Sequence, residues 1–223
     1  MTTTVAVTGA ASGLGEAVAR SFAEDGATVA VGDRDRDAIE ALAADVGGVA
    51  VWTDVRDEYE VERLLEEASR AGDASGVDVV VPCASVFHGD AGESPLEEAS
   101  YSAFDDTVRT NARGAFAAVR EAVPHMDDSS RVVIPTASVA RDAQPGYGTY
   151  AVSKAAVEGV MRQFSADLEQ AVGCVEVGTV DTGFEVAEGR DAAAAADLVA
   201  WAASVPGELD GAVLDADDRQ QPD

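Results

Sequence analysis

In the stretch GTYAVSKAA a tyrosine and a lysine stand four residues apart, at Tyr150 and Lys154. On a helix that spacing puts both on one face, one turn apart. Their unperturbed pKa values are about 10 and 10.4, so neither titrates near neutrality alone. An ammonium beside a phenol favours the phenolate and brings it toward the working range of an acid–base catalyst. Lysine also offers three donors for ribose hydroxyls, a compact task less suited to the planar fork of arginine. Ser138, twelve residues before Tyr150, carries a hydroxyl able to polarise a carbonyl, although a strand-end turn residue would look the same. Asn111 falls inside a helical stretch where asparagine has poor propensity. Buried there, it would bind a backbone group and a water relaying protons to Lys154, or serve packing alone.

Lys154 is the only lysine of the chain, against fourteen arginines and forty-two carboxylates. A whole-chain avoidance of lysine weakens the reading of Lys154 as an ordinary surface charge. The net charge of −27 repels phosphates and anionic lipid, which argues against nucleic acid and membrane partners. A GC-rich coding bias disfavours lysine but also raises arginine, and fourteen arginines do not offset the acids. A high-salt cytoplasm, where ions screen the self-repulsion, fits better. With 47% hydrophobic residues, disorder is excluded. The start MTTTVAVTGA lacks a basic n-region, and no apolar run reaches the roughly 18 residues of a membrane span, so the expected location is cytoplasmic. Cys83 and Cys174 have no metal or redox spacing and read as small apolar residues, and two distant histidines support no metal site.

Positioning these groups requires a scaffold, and the pattern is that of a parallel sheet covered on both faces. Short β-branched runs at 4–9, 28–33, 48–54, 77–84, 131–138, 174–178 and 211–216 alternate with alanine-rich helical stretches at 13–26, 58–72, 100–123, 150–172 and 190–204. The expected fold is a single doubly wound α/β domain over 1–223, with a mostly parallel seven-stranded, Rossmann-like sheet and a flexible tail at 217–223.

Directly after the first strand, TGAASGLG (Thr8 to Gly15) opens a helix. Gly9, Gly13 and Gly15 let the backbone turn tightly and approach a ligand, and the helix start suits a pyrophosphate. The second strand ends at Asp33, where a carboxylate can accept bonds from an adenosine ribose and would repel a 2′-phosphate. Arg34 could stack on adenine or offset that repulsion, while DRDRD as a whole, Arg36 included, also reads as a solvated turn. Asp54 at the end of the third strand is placed to touch the adenine edge or merely to cap the strand.

Taken together these motifs resemble the short-chain dehydrogenase/reductase family, over about Val5 to Asp215. The family's T-G-x-x-x-G-x-G falls on Thr8 to Gly15, with Ser12 and Leu14 inside it, its NAD-selecting acid on Asp33, and its adenine-binding D-V pair on Asp54 and Val55. Its catalytic Asn, Ser, Tyr and Lys fall on Asn111, Ser138, Tyr150 and Lys154. The resemblance implies an NAD(H)-dependent oxidoreductase, with NADP(H) second, that interconverts a secondary alcohol and a ketone. Tyr150 would be the general acid/base, Lys154 would bind the nicotinamide ribose and Ser138 would steady the substrate oxygen. It also implies a homodimer or homotetramer built on helices at about 100–126 and 147–172. The alternative is a nucleotide-binding regulatory or scaffold protein on the same fold.

The chain departs from the family in two places. Where N-N-A-G is usual it has Pro82-Cys83-Ala84-Ser85, of which Ala84 alone agrees. The P-G-x-x-x-T stretch becomes VGTVDT, keeping Gly178 and Thr182, the latter placed for the nicotinamide carboxamide, and the strand entering it looks shortened. Only about 183–189 remains for a substrate lid, which implies an open pocket or one completed by a neighbouring subunit. Phe87, His88, Arg141, Gln144 and Tyr147 are expected around the mouth, His88 also reading as a loop residue and Arg141 as a solvated surface charge. Tyr147 is not the catalytic tyrosine, because Ala151 stands four residues on.

Overall fold

A computed structural model describes residues 2–72, 76–178 and 191–220. The described residues form one seven-stranded sheet in the order β3-β2-β1-β4-β5-β6-β7, every neighbouring pair parallel. Its strands are β1 (Thr4–Thr8), β2 (Thr28–Asp33), β3 (Val49–Trp52), β4 (Val79–Pro82), β5 (Arg131–Thr136), β6 (Ala171–Glu176) and β7 (Val213–Leu214). The helices are α1 (Gly13–Glu24), α2 (Arg36–Val46), α3 (Glu58–Ala71), α4 (Tyr101–Thr107), α5 (Gly114–Ala122), α6 (Gly148–Asp167), α7 (Ala192–Ser204) and α8 (Pro206–Leu209).

Strands buried on both faces explain the near-continuous valine runs. Successive side chains of a strand point to opposite faces. Val5 and Val7 of β1 accordingly join Val79 and Val81 of β4 in a core with Val18 and Phe22 of α1, Ile39 and Leu42 of α2 and Leu198 of α7. Ala6 and Val80 point the other way, into a core with Leu64 and Leu65 of α3, Val119 of α5 and Met161 of α6. Each fully buried valine or leucine contributes roughly 1.5–3 kcal/mol relative to exposure. Strand order reverses between β1 and β4, and a crevice opens at the carboxyl ends of the strands there.

Three elements differ from the sequence reading. DRDRD is no mere turn: Asp35 caps α2 by accepting from Ala38 N at 3.1 Å, and Gly47 ends it in the left-handed region at φ 69°. The 100–123 helix is interrupted by a π-helical segment, Val108–Arg113, that carries Asn111. Finally, α6 stops at Asp167, and β6 starts at Ala171 and pairs with β5 residue for residue up to Thr136↔Glu176. The strand entering Gly178 is therefore not shortened; its first residues had been assigned to the helix. At the C-terminus, Asp218–Gln220 form a short 3₁₀ turn.

Candidate active site

At the strand reversal a cleft of about 580 Å³ is lined by Gly9, Asp33, Ala84, Ser138, Tyr150 and Lys154, among others. Backbone builds one half of it. Gly9 and Gly13 adopt φ of 70° and 57°, which favour glycine. A Cβ on Gly9 would lie 2.5 Å from Ala84 backbone, and one on Gly15 would lie 2.1 Å from the Gly9 carbonyl oxygen. The glycine loop thus folds against both the 82–85 segment and the first turn of α1. Buried Thr8 braces that contact, its hydroxyl accepting from Ala84 N at 3.4 Å and its carbonyl from Cys83 N at 3.1 Å. The unusual Pro-Cys-Ala-Ser sequence is thereby docked on β1. Ser12 caps α1 with extended backbone and makes no side-chain capping bond, and it lines the cleft with Leu14 and Gly15. Burial pushes the Cys83 thiol up to about 12, with the charge of Lys154 opposing, so it is no thiolate nucleophile near neutrality.

Around the nucleotide end, Asp33 accepts from Ala11 N at 3.3 Å and from Asp35 N at 3.1 Å, and Trp52 Nε1 donates to the Arg34 carbonyl at 2.9 Å. Asp54 and Val55 also line the cleft. The Asp54 carboxylate is held by Arg56, with Nε 2.9 and 3.1 Å from its two oxygens and Nη2 at 2.6 Å. Arg56 Nη1 reaches Asp106 at 2.7 Å, and His88 Nε2 lies 2.8 Å from the other Asp106 oxygen. A chain of four polar side chains therefore joins the end of β3 to α4 and the loop after β4. Its hydrogen bonds hold both carboxyls below the usual range, Asp54 through Arg56 and Asp106 through His88 first and Arg56 second. Sequence reasoning missed Arg56 and Asp106, whose pairing joins residues fifty positions apart.

The other half is built of side chains. Lys154 is buried on α6; its Nζ donates to Pro135 O at 3.1 Å and lies 5.5 Å from the Tyr150 ring centroid. Ser138 does not end the fifth strand, which stops at Thr136; it opens a 3₁₀ turn, Ser138–Ala140, and Gln144 Nε2 donates to its Oγ at 3.4 Å. Phe87 packs on both nearby tyrosines, with ring centroids 5.2 Å from Tyr150 and 6.3 Å from Tyr147. Asn111 Oδ1 accepts from Val86 N at 2.7 Å, while its Nδ2 donates to Val86 O at 3.0 Å and Ser153 Oγ at 2.9 Å. Both amide hydrogens are engaged, so this side chain braces the segment after β4 against α6. The π-helical segment that places it is the kind of irregularity found at functional sites.

Thr8, Gly13 and Asn111 stand behind the lining, whereas Phe87, Gln144 and Tyr147 reach it. Thr182 and the 183–189 lid lie outside the described residues. Arg141 lies at the surface, as expected, but is not a free charge: it is ion-paired with Glu158 of α6 and Glu176 of β6, because the chain folds two carboxylates against it. Among the described residues no group of three His, Cys, Asp or Glu could hold a metal ion, and no helix is long and apolar enough to cross a membrane.

A model of the family described as short chain dehydrogenase matches residues 3–193. The chain belongs to the short-chain dehydrogenases. It resembles the NADPH-dependent aldehyde reductase 2 of Arabidopsis thaliana, a chloroplastic protein, at 31% identity over 198 residues, 79% of this chain and 71% of that protein. It is also 34% identical over 163 residues to the glycine betaine reductase of Emericella nidulans, matching 70% of this chain but only 12% of that much longer protein. Among solved structures, a dehydrogenase/reductase from Sinorhizobium meliloti aligns with a TM-score of 0.85 at 29% identity, covering 96% of this chain and 92% of that one. The chain thus falls in a family of NAD(P)-dependent reductases and dehydrogenases, and the cleft at the strand reversal brings together Gly9, Gly15, Asp33, Ser138, Tyr150 and Lys154 of the motifs read from the sequence.

Proposed function

We propose that this short-chain dehydrogenase interconverts a secondary alcohol and a ketone with NAD(H), using Tyr150 as general acid and base. One observation carries the reading: Tyr150 and Lys154 open onto the same cleft as the glycine loop, with the Lys154 ammonium anchored beside the tyrosine ring. The residues present suit a dinucleotide. The Ser12 hydroxyl and the first-turn N–H groups of α1 would hold the pyrophosphate, Asp33 the adenosine ribose, Lys154 the nicotinamide ribose and Thr182 the carboxamide. Asp54 and Val55 would meet the adenine edge, with Asp54 shared between adenine and Arg56, and Ala84 would pack beneath the cofactor. When bound, the nicotinamide supplies or accepts the hydride. For reduction, Tyr150 donates its proton to the substrate oxygen while Ser138 donates a hydrogen bond to the same atom; oxidation reverses the transfer. The Asp33 carboxylate disfavours a 2′-phosphate, and Arg34 beside it partly offsets this, a tension the NADPH-dependent Arabidopsis relative makes worth measuring.

The substrate end combines the rings of Phe87, Tyr147 and Tyr150 with the carboxylates of Asp90 and Glu93. Among the described lining residues at that end Lys154 is the single cation, so an uncharged, apolar or aromatic carbonyl compound is favoured over an anion. Exposed Tyr101 and Phe104 on α4, and Phe116 on α5 stacked on Phe164 of α6, support a homodimer or homotetramer through these helices. The charge of −27 supports work in a salty cytoplasm.

The test begins with NADH and NADPH titrations in low and molar salt, followed by a panel of ketones and alcohols. Tyr150→Phe should lower turnover by about 10²–10⁴-fold while leaving NADH binding intact. Unchanged turnover would refute the role of Tyr150, and cofactor binding without turnover on any compound would favour a nucleotide-binding regulator.

A further inference from the structure

We infer that Glu158 and Arg141 are positioning residues: a buried carboxylate paired with a partly exposed guanidinium that together set Ser138 against Tyr150 and Lys154 and balance the charge around Lys154. The inference rests on the catalytic reading above.

Tyr150, Lys154 and Glu158 follow one another at four-residue spacing on α6 and so share a face. Glu158 is only 2% exposed. Its Oε1 accepts from Thr136 Oγ1 at 3.1 Å and pairs with Arg141 Nη1. Thr136 and Arg141 bracket the turn that carries Ser138, and the turn closes on itself, Arg141 N and Asp142 N donating to Ser138 O at 2.9 and 2.8 Å. One carboxylate on the catalytic helix therefore grips the Ser138 turn at both ends. One helical turn earlier, Lys154 grips the Pro135 carbonyl. Arg141 also reaches Glu176 at the end of β6, tying three elements together.

The pair has an electrostatic consequence as well. A buried carboxylate is tolerated when paired and costly when its partner is removed. Without Arg141, the Glu158 carboxylate would keep only Arg162, at 3.9 Å, as a counter-charge, and one turn from Lys154 it would oppose phenolate formation at Tyr150. The charged and titratable groups facing this pair are Lys154 and Arg162 of α6 and Cys174 and Glu176 of β6, with Tyr150 and Cys83 lying beside Lys154. Burial and then Glu158 push the Cys174 thiol up to about 12, while Lys154 and Arg141 oppose, so the two charges act within the same small volume.

The experiment compares Arg141→Ala, Arg141→Lys and Glu158→Gln, with Arg120→Ala as a control at an exposed arginine on α5. Readouts are kcat, KM, NADH affinity, the pH profile of alcohol oxidation and the melting temperature. Arg141→Ala should lower kcat about 10- to 100-fold through misplacement of Ser138, with NADH affinity within about twofold of the unsubstituted protein. Its oxidation profile should move up by roughly half to one pH unit, and added guanidinium should restore part of the rate. Arg141→Lys should recover more rate than Arg141→Ala. Glu158→Gln removes the anion one turn from Lys154 and leaves Arg141 paired with Glu176, so its profile should move down, and this opposite sign keeps the test intact should Arg141→Ala fail to fold. Lower melting temperatures with unchanged kcat and pH profiles, or shifts of the same sign in both variants, would overturn the inference and leave the catalytic reading standing. An unsubstituted protein without hydride transfer would instead overturn the catalytic reading, and the pair's role with it.

Discussion

The two sides of the cleft are held by opposite means. On the β1–β2 side the nucleotide loop is shaped by missing side chains: Gly9 against Ala84, and Gly15 against the Gly9 carbonyl. On the β5–β6 side the proposed catalytic residues are held by long side chains from distant segments, with Lys154 on Pro135 and Arg141 on Glu158 and Glu176. Close backbone approach is all-or-none, since one added carbon collides with atoms that cannot move aside. A side-chain tether is graded, because a substituted partner can keep part of its bonding or charge. The nucleotide side should therefore fail as structure, and the catalytic side should fail as rate.

The largest effect should follow Gly9→Val, which puts a β-branched side chain at φ 70° and its Cβ 2.5 Å from Ala84 backbone. Strain and collision together should cost at least about 3 kcal/mol, lowering the melting temperature by roughly 6–12 °C. Cofactor titration should fail at concentrations that saturate the unsubstituted protein. Ser138→Ala gives the contrast: stability should stay within about 0.5 kcal/mol, while kcat falls with cofactor affinity retained. If Gly9→Val bound NADH normally, or Ser138→Ala unfolded the chain, the division would collapse.

A smaller effect should follow Asp33→Ala, read as the ratio of NADPH to NADH affinity. Removing the carboxylate while Arg34 remains should raise that ratio by on the order of tenfold, about 1.4 kcal/mol. An unmoved ratio would show that Asp33 serves the backbone of Ala11 and Asp35 alone.

The smallest effect concerns the Arg56 chain, which joins the end of β3 to α4 and the loop after β4. Hydrogen bonding keeps Asp54 and Asp106 below their ordinary value of 3.8. A carboxyl depressed on folding contributes stability above its unfolded pKa and loses it as pH falls through the folded value. Arg56→Ala should therefore lower the melting temperature near neutral pH, and its difference from the unsubstituted protein should shrink as pH drops below 3.8. A difference constant over that range would mean that the carboxyls are not held by Arg56.

Legibility in the sequence followed the same division. The glycine loop and the Tyr150–Lys154 pair were readable because each lies within one short segment whose spacing states its geometry. The α2 helix was overlooked because its charged start hid the stripe of Ile39, Leu42, Ala43 and Val46, although Asp35 and Gly47 were available as cap signals. The sequence reads as helix through Val172 because Ala171 and Val172 continue its apolar pattern. Pairing with β5 claims those residues, since a strand beside β5 satisfies more backbone groups than an extra helical turn. The pairing of Arg141 was missed because nothing near it in the chain reveals that Glu158 is buried.

By itself the sequence determined the sheet, the glycine loop and the four-residue pairing of Tyr150 with Lys154. Near-continuous valine runs, glycines at tight turns and a four-residue spacing are local constraints that any fold must honour. Only the tertiary structure decided that Asn111 braces Val86 and Ser153, that Arg56 shares Asp54 with Asp106, and that Glu158 holds the Ser138 turn at both ends. Those roles depend on which polar groups lose water together, and burial of that kind is set by the packing of segments far apart in the chain.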